Sequence, residues 1–92
     1  MIKANTYFNG TVQSLGFERN GRRQTVGVIA PGTYHFDTGG AERMTVVCGE
    51  LQIKVAGGEW RNYPQGTAFE VPAKSGFDIV AAAEAAYWCE FL

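Results

Sequence analysis

Residues 31–49 read PGTYHFDTGGAERMTVVCG and contain two predicted strands separated by a glycine pair. The stretch opens with Pro-Gly, a turn signal. Residues 34–37 then alternate aromatic and polar side chains, which is the period of a strand with one buried face. The second strand places Glu42, Met44 and Val46 on one face and residues 43, 45 and 47 on the other. This stretch therefore predicts a β protein in which a carboxylate shares a face with apolar side chains.

Two interpretations of Glu42 follow from this pattern. An unpaired carboxylate is costly to bury, so Glu42 either lies at a strand end and reaches water or lies at the mouth of an apolar pocket.

A β-hairpin is predicted on the N-terminal side of this stretch, around Asn20-Gly21. Both residues tolerate positive φ, as a two-residue turn requires. Such a turn pairs Arg19 with Arg22, Glu18 with Arg23, and Leu15 with Val26. One face then carries apolar side chains, at positions 15, 17, 26 and 28. The other carries Arg23 among the small residues Gly16, Thr25 and Gly27, which leaves room for another group.

The rest of the chain predicts further short strands and no convincing helix. Residues 50–55, 60–63, 67–71, 77–80 and 87–91 each show strand patterns between turn signals, and residues 81–86 are interpreted as a strand end and a turn. About nine strands at a spacing of about 8–12 residues indicate an all-β sandwich or barrel.

Length and composition limit the remaining possibilities. A chain of 92 residues with 46% hydrophobic residues has room for one domain, residues 1–92, with one core. The formal net charge of −1 gives no general attraction to nucleic acid or to an anionic membrane. The sequence shows neither a signal peptide nor a membrane span, and we expect a reduced, cytoplasmic protein.

The residue types that usually carry chemistry are sparse. Cys48 and Cys89 lie in apolar runs and are predicted to be reduced, buried and dispensable, and no CxxC spacing suggests zinc. The sequence has no GxSxG, P-loop or GxGxxG pattern. The single histidine, His35, lies on the face opposite Tyr34 and Phe36, where a structural or solvent-facing role is usual.

Glu42 and Gly49 match the second half of the first cupin motif, G(x)5HxH(x)3–4E(x)6G. The two histidine positions of that motif fall on Phe36 and Thr38. Gly66 and Pro72 match the start of the second motif, whose histidine position falls on Phe77. The spacing resembles a small single-domain cupin, a jelly-roll β-barrel, in which only the glutamate of the metal set remains.

A closer resemblance covers nearly the whole chain. NTYFNGTVQSLGF, TVGVIAPGTYHFDT, ERMTVVCGEL, GTAFEVPAKSGFDI and AYWCEFL are similar to the small bacterial pyrimidine/purine nucleoside phosphorylases. The resemblance implies a cupin fold and phosphorolysis of uridine, adenosine, guanosine, inosine, cytidine, thymidine and xanthosine. The products would be a free base and α-D-ribose 1-phosphate, or the 2-deoxy sugar phosphate from thymidine. Inorganic phosphate is then the co-substrate, and we expect no metal and no cofactor.

Phosphorolysis needs phosphate held beside C1′ and a sugar stabilised as it approaches an oxocarbenium ion. We assign Arg23 to phosphate, with Arg22 and Arg43 as alternatives, and Glu42 to the ribose hydroxyls. Phe36, Phe77 and Tyr34 would offer a stacking surface to the base, although barrel core is their competing interpretation. Thr38 is a candidate for a polar wall.

Two other functions remain open at this point. The first is a non-enzymatic cupin module that binds a sugar or nucleobase or acts as a dimer module. The second, a metal-dependent isomerase or dioxygenase, is disfavoured by the missing histidines. We expect a homodimer, because small cupins often pair through sheet edges and aromatic faces.

Overall fold

The computed structural model describes residues 2–92, which form ten strands in two antiparallel sheets. The strands are β1 Lys3–Tyr7, β2 Val12–Arg19, β3 Arg22–Ile29, β4 Gly32–Asp37, β5 Glu42–Cys48, β6 Glu50–Val55, β7 Arg61–Pro64, β8 Ala68–Val71, β9 Gly76–Ala81 and β10 Ala85–Phe91. One sheet has the order β1-β2-β3-β10-β5-β8 and the other β4-β9-β6-β7. In residues 2–92 there is no helix long and apolar enough to cross a bilayer. The predicted all-β, cupin-type fold is confirmed.

The β2–β3 hairpin has the predicted register. Asn20 and Gly21 have φ values of 55° and 72°, as a tight turn with two positive φ angles requires. Arg19 pairs with Arg22, and Leu15 pairs with Val26. The hairpin is therefore determined by its own turn chemistry.

The small-residue face of this hairpin is buried and its apolar face is exposed. The face of small residues turns toward the barrel interior, where Thr25 is buried. The apolar face turns outward, and Leu15 and Val28 are 52% and 53% exposed. Gly27 is required on the inner face, because a Cβ there would lie 2.6 Å from Cζ of Tyr87.

One strand was not predicted from the sequence. β1 pairs with β2 along its whole length, from Lys3 opposite Gly16 to Tyr7 opposite Val12. Of its five residues, only Asn5 is even partly buried. The segment therefore lacks the alternation of buried and exposed side chains by which the other strands were predicted. Its place comes from backbone hydrogen bonding at the sheet edge.

The core lies between the two sheets. Tyr34, Glu42, Met44 and Val46 point inward, and His35 points outward, as the alternation predicts. The fully buried side chains are aliphatic and come from both sheets: Val12, Ile29, Val46, Leu51, Ile53, Val71 and Ile79. Residues 82–84 form the predicted turn between β9 and β10.

Candidate active site

A cavity of about 250 Å³ lies between the two sheets. This volume is just below the range of about 300–1,000 Å³ that is typical of small-molecule sites. The cavity is lined by Asn5, Tyr7, Ser14, Arg23, Thr25, Ile29, Phe36, Asp37, Glu42, Met44, Phe77, Ile79, Tyr87, Cys89 and Phe91. One guanidinium, two carboxylates, several hydroxyls and aromatic rings therefore meet in one small space.

Arg23, Phe91 and Glu42 lie side by side at the outer end of the cavity. Phe91 pairs with Glu42, and the preceding residue of β10 pairs with the residue after Arg23. The guanidinium carbon of Arg23 lies 5.0 Å from the centre of the Phe91 ring. Arg23 is exposed and makes no ion pair within residues 2–92. Two strand spacings separate Arg23 from Glu42, about 10 Å between their backbones.

The carboxylate of Glu42 is half-buried and contacts a thiol. The Cys89 sulfur donates a hydrogen bond to Oε1 of Glu42 at 3.4 Å. Burial raises the pKa of Glu42 above its ordinary value, and the thiol hydrogen bond partly offsets this shift. The structure supports the interpretation of Glu42 as a carboxylate at a pocket, although the lining of that pocket is part polar and part apolar.

The two cysteines differ in environment. Cys89 is buried, but Cys48 is exposed, so the prediction that both are buried is wrong for Cys48. β5 pairs irregularly with β10 near its C-terminal end, where Cys48 lies opposite Ala86, and the regular alternation is lost there. Burial raises the pKa of the Cys89 thiol far above its ordinary range, and the nearby Glu42 carboxylate raises it further. Cys89 therefore stays protonated and able to donate.

The contact with Glu42 changes our expectation for Cys89. Cys48→Ala should leave activity unchanged, while Cys89→Ala should lower kcat about fivefold, because a hydrogen bond worth about 1 kcal/mol is lost. Steady-state kinetics on the two single variants, with folding checked by circular dichroism, tests this. Equal kcat values in the two variants would mean that Cys89 contributes only packing and that its hydrogen bond to Glu42 does not affect catalysis.

A second set of polar groups lies at the inner end of the cavity. The side-chain amide of Asn5 donates to the Ser14 hydroxyl at 3.3 Å. The Tyr87 ring lies across Gly27, which pairs with Ser14. Burial raises the pKa of Tyr87 to about 12, so its phenol stays protonated at neutral pH. Sequence reasoning missed Asn5, Ser14 and Tyr87 as well as Cys89 and Phe91.

The opposite wall of the cavity is aromatic. Phe36 and Phe77 stack with their ring centres 5.9 Å apart and an angle of 25° between their planes. The neighbouring Tyr7 and Phe36 rings meet in a T-shaped arrangement, with 5.7 Å between ring centres. Both phenylalanines also pack against the hydrophobic core. The two interpretations of these residues, stacking surface and barrel core, are therefore compatible.

Two of the predicted substrate-binding residues do not line the cavity. The Tyr34 hydroxyl donates to the carbonyl oxygen of Ala30 at 2.7 Å. The Thr38 hydroxyl donates to the carbonyl of Pro72 at 2.7 Å and accepts from the amide of Ser75 at 2.9 Å. Both hydroxyls therefore bind loop backbone groups away from the cavity lining.

The alternative arginines also lie away from the cavity. Arg43 points to the outer face of its sheet, where its guanidinium donates to Glu70 at 2.9 and 3.1 Å and lies 3.8 Å from Glu90. Arg22 is exposed beside the turn of the β2–β3 hairpin. Of the three candidates, only Arg23 lines the cavity.

His35 is exposed on the outer face of the smaller sheet. Its Nδ1 lies 2.7 Å from the Asp78 carboxylate and its Nε2 lies 2.9 Å from the Asp37 carboxylate. These hydrogen bonds, to Asp78 first and Asp37 second, raise the pKa of His35. His35 therefore links Asp78, outside the cavity, to Asp37 at its rim, and it strengthens the β4–β9 pair mainly when it is protonated.

The residues at the cupin metal positions do not fit a metal ion. Phe36, Thr38 and Phe77 occupy the three histidine positions, and Glu42 alone offers a ligand atom there. Across residues 2–92 no group of three or more histidine, cysteine or acidic side chains could hold a metal. A divalent cation bound by one carboxylate would be weak, so no step of the chemistry is assigned to one.

The fold and the cavity together define a cupin-type β protein with a polar and aromatic pocket. The structure superimposes on an RmlC-like cupin from Shewanella frigidimarina with a TM-score of 0.78 at 17% identity, covering 98% of this chain and 82% of that one. This likeness concerns the fold alone.

The family is narrower than the fold. Residues 2–91 match the family model described as pyrimidine/purine nucleoside phosphorylase. The chain is 66% identical to the pyrimidine/purine nucleoside phosphorylase of Sorangium cellulosum, with all of both chains covered. It is 53% identical to that of Vibrio cholerae, covering the whole chain and 98% of the relative. A Vibrio parahaemolyticus protein described as of unknown function superimposes with a TM-score of 0.97 at 45% identity, covering 100% and 99% of the two chains. The chain belongs to the pyrimidine/purine nucleoside phosphorylase family.

Proposed function

We propose that this protein is a pentosyltransferase that splits purine and pyrimidine nucleosides with inorganic phosphate, without a metal or cofactor. Its substrates would include uridine, cytidine, thymidine, adenosine, guanosine, inosine and xanthosine. The products would be the free base and α-D-ribose 1-phosphate, or the 2-deoxy sugar phosphate from thymidine. The observation that carries the proposal is one cavity that holds an unpaired guanidinium, a half-buried carboxylate and an aromatic wall, in a member of this family.

The chemistry requires positioning more than covalent catalysis. A phosphate oxygen forms a bond to C1′ while the bond from C1′ to the base nitrogen breaks, and its electron pair leaves with the base. The base gains the proton that hydrogen phosphate loses when it becomes the sugar phosphate. Positive charge builds on the sugar while the bond to the base breaks ahead of the bond to phosphate, so a fixed negative charge nearby lowers the barrier.

Arg23 suits the phosphate because it makes no ion pair with any of the described residues and lies at the solvent end of the cavity. A guanidinium offers two parallel N–H donors to phosphate oxygens. Stacking on Phe91 restricts where the guanidinium can go, which reduces the entropy lost when phosphate binds.

Glu42 suits the ribose. Its Oε1 accepts from Cys89, which leaves Oε2 to accept from sugar hydroxyls. In a half-buried site the attraction between the carboxylate and the developing positive charge is stronger than in water. This interaction favours the transition state over bound substrate.

The direct test is an assay of purified protein with uridine or adenosine and phosphate. We expect release of free base that depends on phosphate and is unchanged by EDTA, because the residues at the metal positions are Phe36, Thr38 and Phe77. Loss of activity with EDTA and its return with a divalent ion would overturn metal independence. Base binding without any turnover would instead indicate a non-enzymatic cupin module.

We also propose a cytoplasmic homodimer that forms through the outer face of the larger sheet. Leu15, Val26 and Trp88 are neighbours on three adjacent strands of this face, and Val28 lies in the next row. A contiguous exposed apolar face is uncommon on a monomer, and a two-fold axis through it would let the same patch cover itself.

The mass in solution tests this assembly. We expect light scattering to give twice the 10.0 kDa chain mass and Val26→Glu to give the monomer mass, because a charge would be buried in the interface. A monomeric wild-type protein would contradict the proposal.

A further inference from the structure

Asn5, Ser14 and Tyr87 form a continuous polar row across the floor of the cavity. Asn5 pairs with Ser14, and both Ser14 and Tyr87 pair with Gly27, so the row crosses four adjacent strands. Gly27 leaves the space into which the Tyr87 ring fits. The hydroxyls of Ser14 and Tyr87 are therefore brought together at the cavity wall.

This row lies deeper than the outer groups. Ser14 and Tyr87 are 5% and 6% exposed, whereas Arg23 is exposed at the other end. The middle row, with Thr25 and Cys89, separates the two ends. The polar floor therefore lies one row of residues further into the cavity than Cys89, whose thiol donates to Glu42.

The floor has hydrogen-bonding capacity to spare. The Asn5 amide uses one of its two N–H groups on Ser14, and its carbonyl oxygen accepts no bond from the described residues. A hydroxyl can donate one hydrogen bond and accept two. Asn5 is only partly buried, so its second N–H and its side-chain carbonyl oxygen can reach water or a ligand that enters the cavity.

The proposed chemistry places the base at this end. A β-nucleoside that yields an α-sugar phosphate is attacked on the face of C1′ opposite the base. If Arg23 holds phosphate at the outer end and Glu42 holds the ribose, the base must point inward. There it meets the polar floor on one side and the Phe36–Phe77 stack on the other.

We propose that Asn5, Ser14 and Tyr87 form the subsite that hydrogen-bonds the edge of the nucleobase. This inference rests on the proposed function for the orientation of the substrate. All three groups can act as donor or acceptor, and aromatic faces stack on any base. The subsite therefore binds purine and pyrimidine edges without selecting one pattern of donors and acceptors.

Removal of single hydroxyls tests contact with the base. We expect Tyr87→Phe and Ser14→Ala each to lower kcat/KM for uridine and inosine about tenfold, because each removes one buried hydrogen bond. The KM for phosphate should not change. Tyr63→Phe and Ser75→Ala are matched controls outside the cavity and should behave as wild type, and melting temperatures verify that all four variants fold.

Asn5→Asp tests whether Asn5 contacts the base, because a purely structural role of Asn5 predicts no change in the preference between cytidine and uridine. Asn5→Asp replaces a donor and an acceptor with acceptors alone. Cytidine presents an amino group at position 4, where uridine presents a carbonyl oxygen. We expect the ratio of kcat/KM for cytidine over uridine to rise about tenfold, since the carboxylate repels the carbonyl. Asn20→Asp, in the exposed hairpin turn, is the control.

The outcomes separate this inference from the proposed function. If wild type is active but the three variants keep its kcat/KM and its cytidine-to-uridine ratio, the subsite is wrong. If wild type splits no nucleoside, calorimetric titration with uracil and adenine decides. If uracil or adenine binds the wild type and binds Tyr87→Phe more weakly, the subsite is supported even though the reaction is not. If neither base binds the wild type, the proposed subsite is wrong.

Discussion

Replacement of Glu42 by glutamine should lower kcat about 100-fold, with little change in the KM for nucleoside. Glutamine keeps the shape of the side chain and can still accept a hydrogen bond from Cys89. It cannot supply the negative charge that stabilises an oxocarbenium-like sugar. Loss of one preorganised electrostatic contact to a transition state costs about 2.7–4 kcal/mol, or about 100- to 1,000-fold in rate. Because the charge matters most in the transition state, the effect falls on kcat.

The same variant makes a prediction about stability and pH. Burial raises the pKa of Glu42, which means that folding disfavours its ionised form, so Glu42→Gln should melt at an equal or higher temperature at pH 7. Activity needs the carboxylate, so wild-type kcat should fall as the pH drops through the raised pKa. This fall of kcat at low pH should be absent in Glu42→Gln.

Steady-state kinetics between pH 4.5 and 8, with circular dichroism as a check of folding, measures both effects. Glu59→Gln is the matched control, because Glu59 is exposed in a loop and does not line the cavity. Wild-type kcat in Glu42→Gln would make Glu42 an ordinary half-buried strand residue and remove it from the reaction.

Local signals predicted much of the fold. The Asn20-Gly21 turn determines the register of β2 and β3 because its two residues accept positive φ, and alternation assigned Tyr34, His35 and Phe36 to the correct faces. The edge strand β1 was not predicted because its side chains do not alternate between buried and exposed positions. Alternation also separates two faces without saying which one is buried. The inward direction of Gly16, Thr25 and Gly27 follows from the second sheet, which packs only on that side.

The lining of the candidate site was predictable only where its residues share a hairpin or a motif. Glu42 and Arg23, which both line the cavity, were proposed because a carboxylate and a cation among apolar or small residues are unusual. The neighbours Cys89 and Phe91 come from β10, which pairs with both β3 and β5 across long sequence separations. Tyr87 could have been suspected from its alternation with Cys89 and Phe91, but that pattern alone also fits core. Thr38 was placed by motif spacing, and its hydroxyl instead completes backbone groups near Pro72 and Ser75.

Replacement of Arg23 by alanine should raise the KM for phosphate about 10- to 100-fold and lower kcat as well. A charge-assisted contact to an anion is worth about 1.5–3 kcal/mol, and the guanidinium is already positioned over Phe91. The KM for nucleoside should change little, since the ribose and base contacts remain. Saturating phosphate should restore only part of kcat, because the lost donors also orient the attacking oxygen.

Arg22→Ala is the matched control for this prediction. It removes a neighbouring arginine of β3 that is exposed and does not line the cavity, so the net charge changes equally in both variants. Arg23→Lys adds a second comparison: it keeps the charge but loses the planar fork, and it should fall between wild type and Arg23→Ala. Initial rates over a range of phosphate concentrations, at fixed ionic strength, give all three KM values. Equal increases in Arg22→Ala and Arg23→Ala would mean that general electrostatic attraction, and not a phosphate contact at Arg23, sets the affinity.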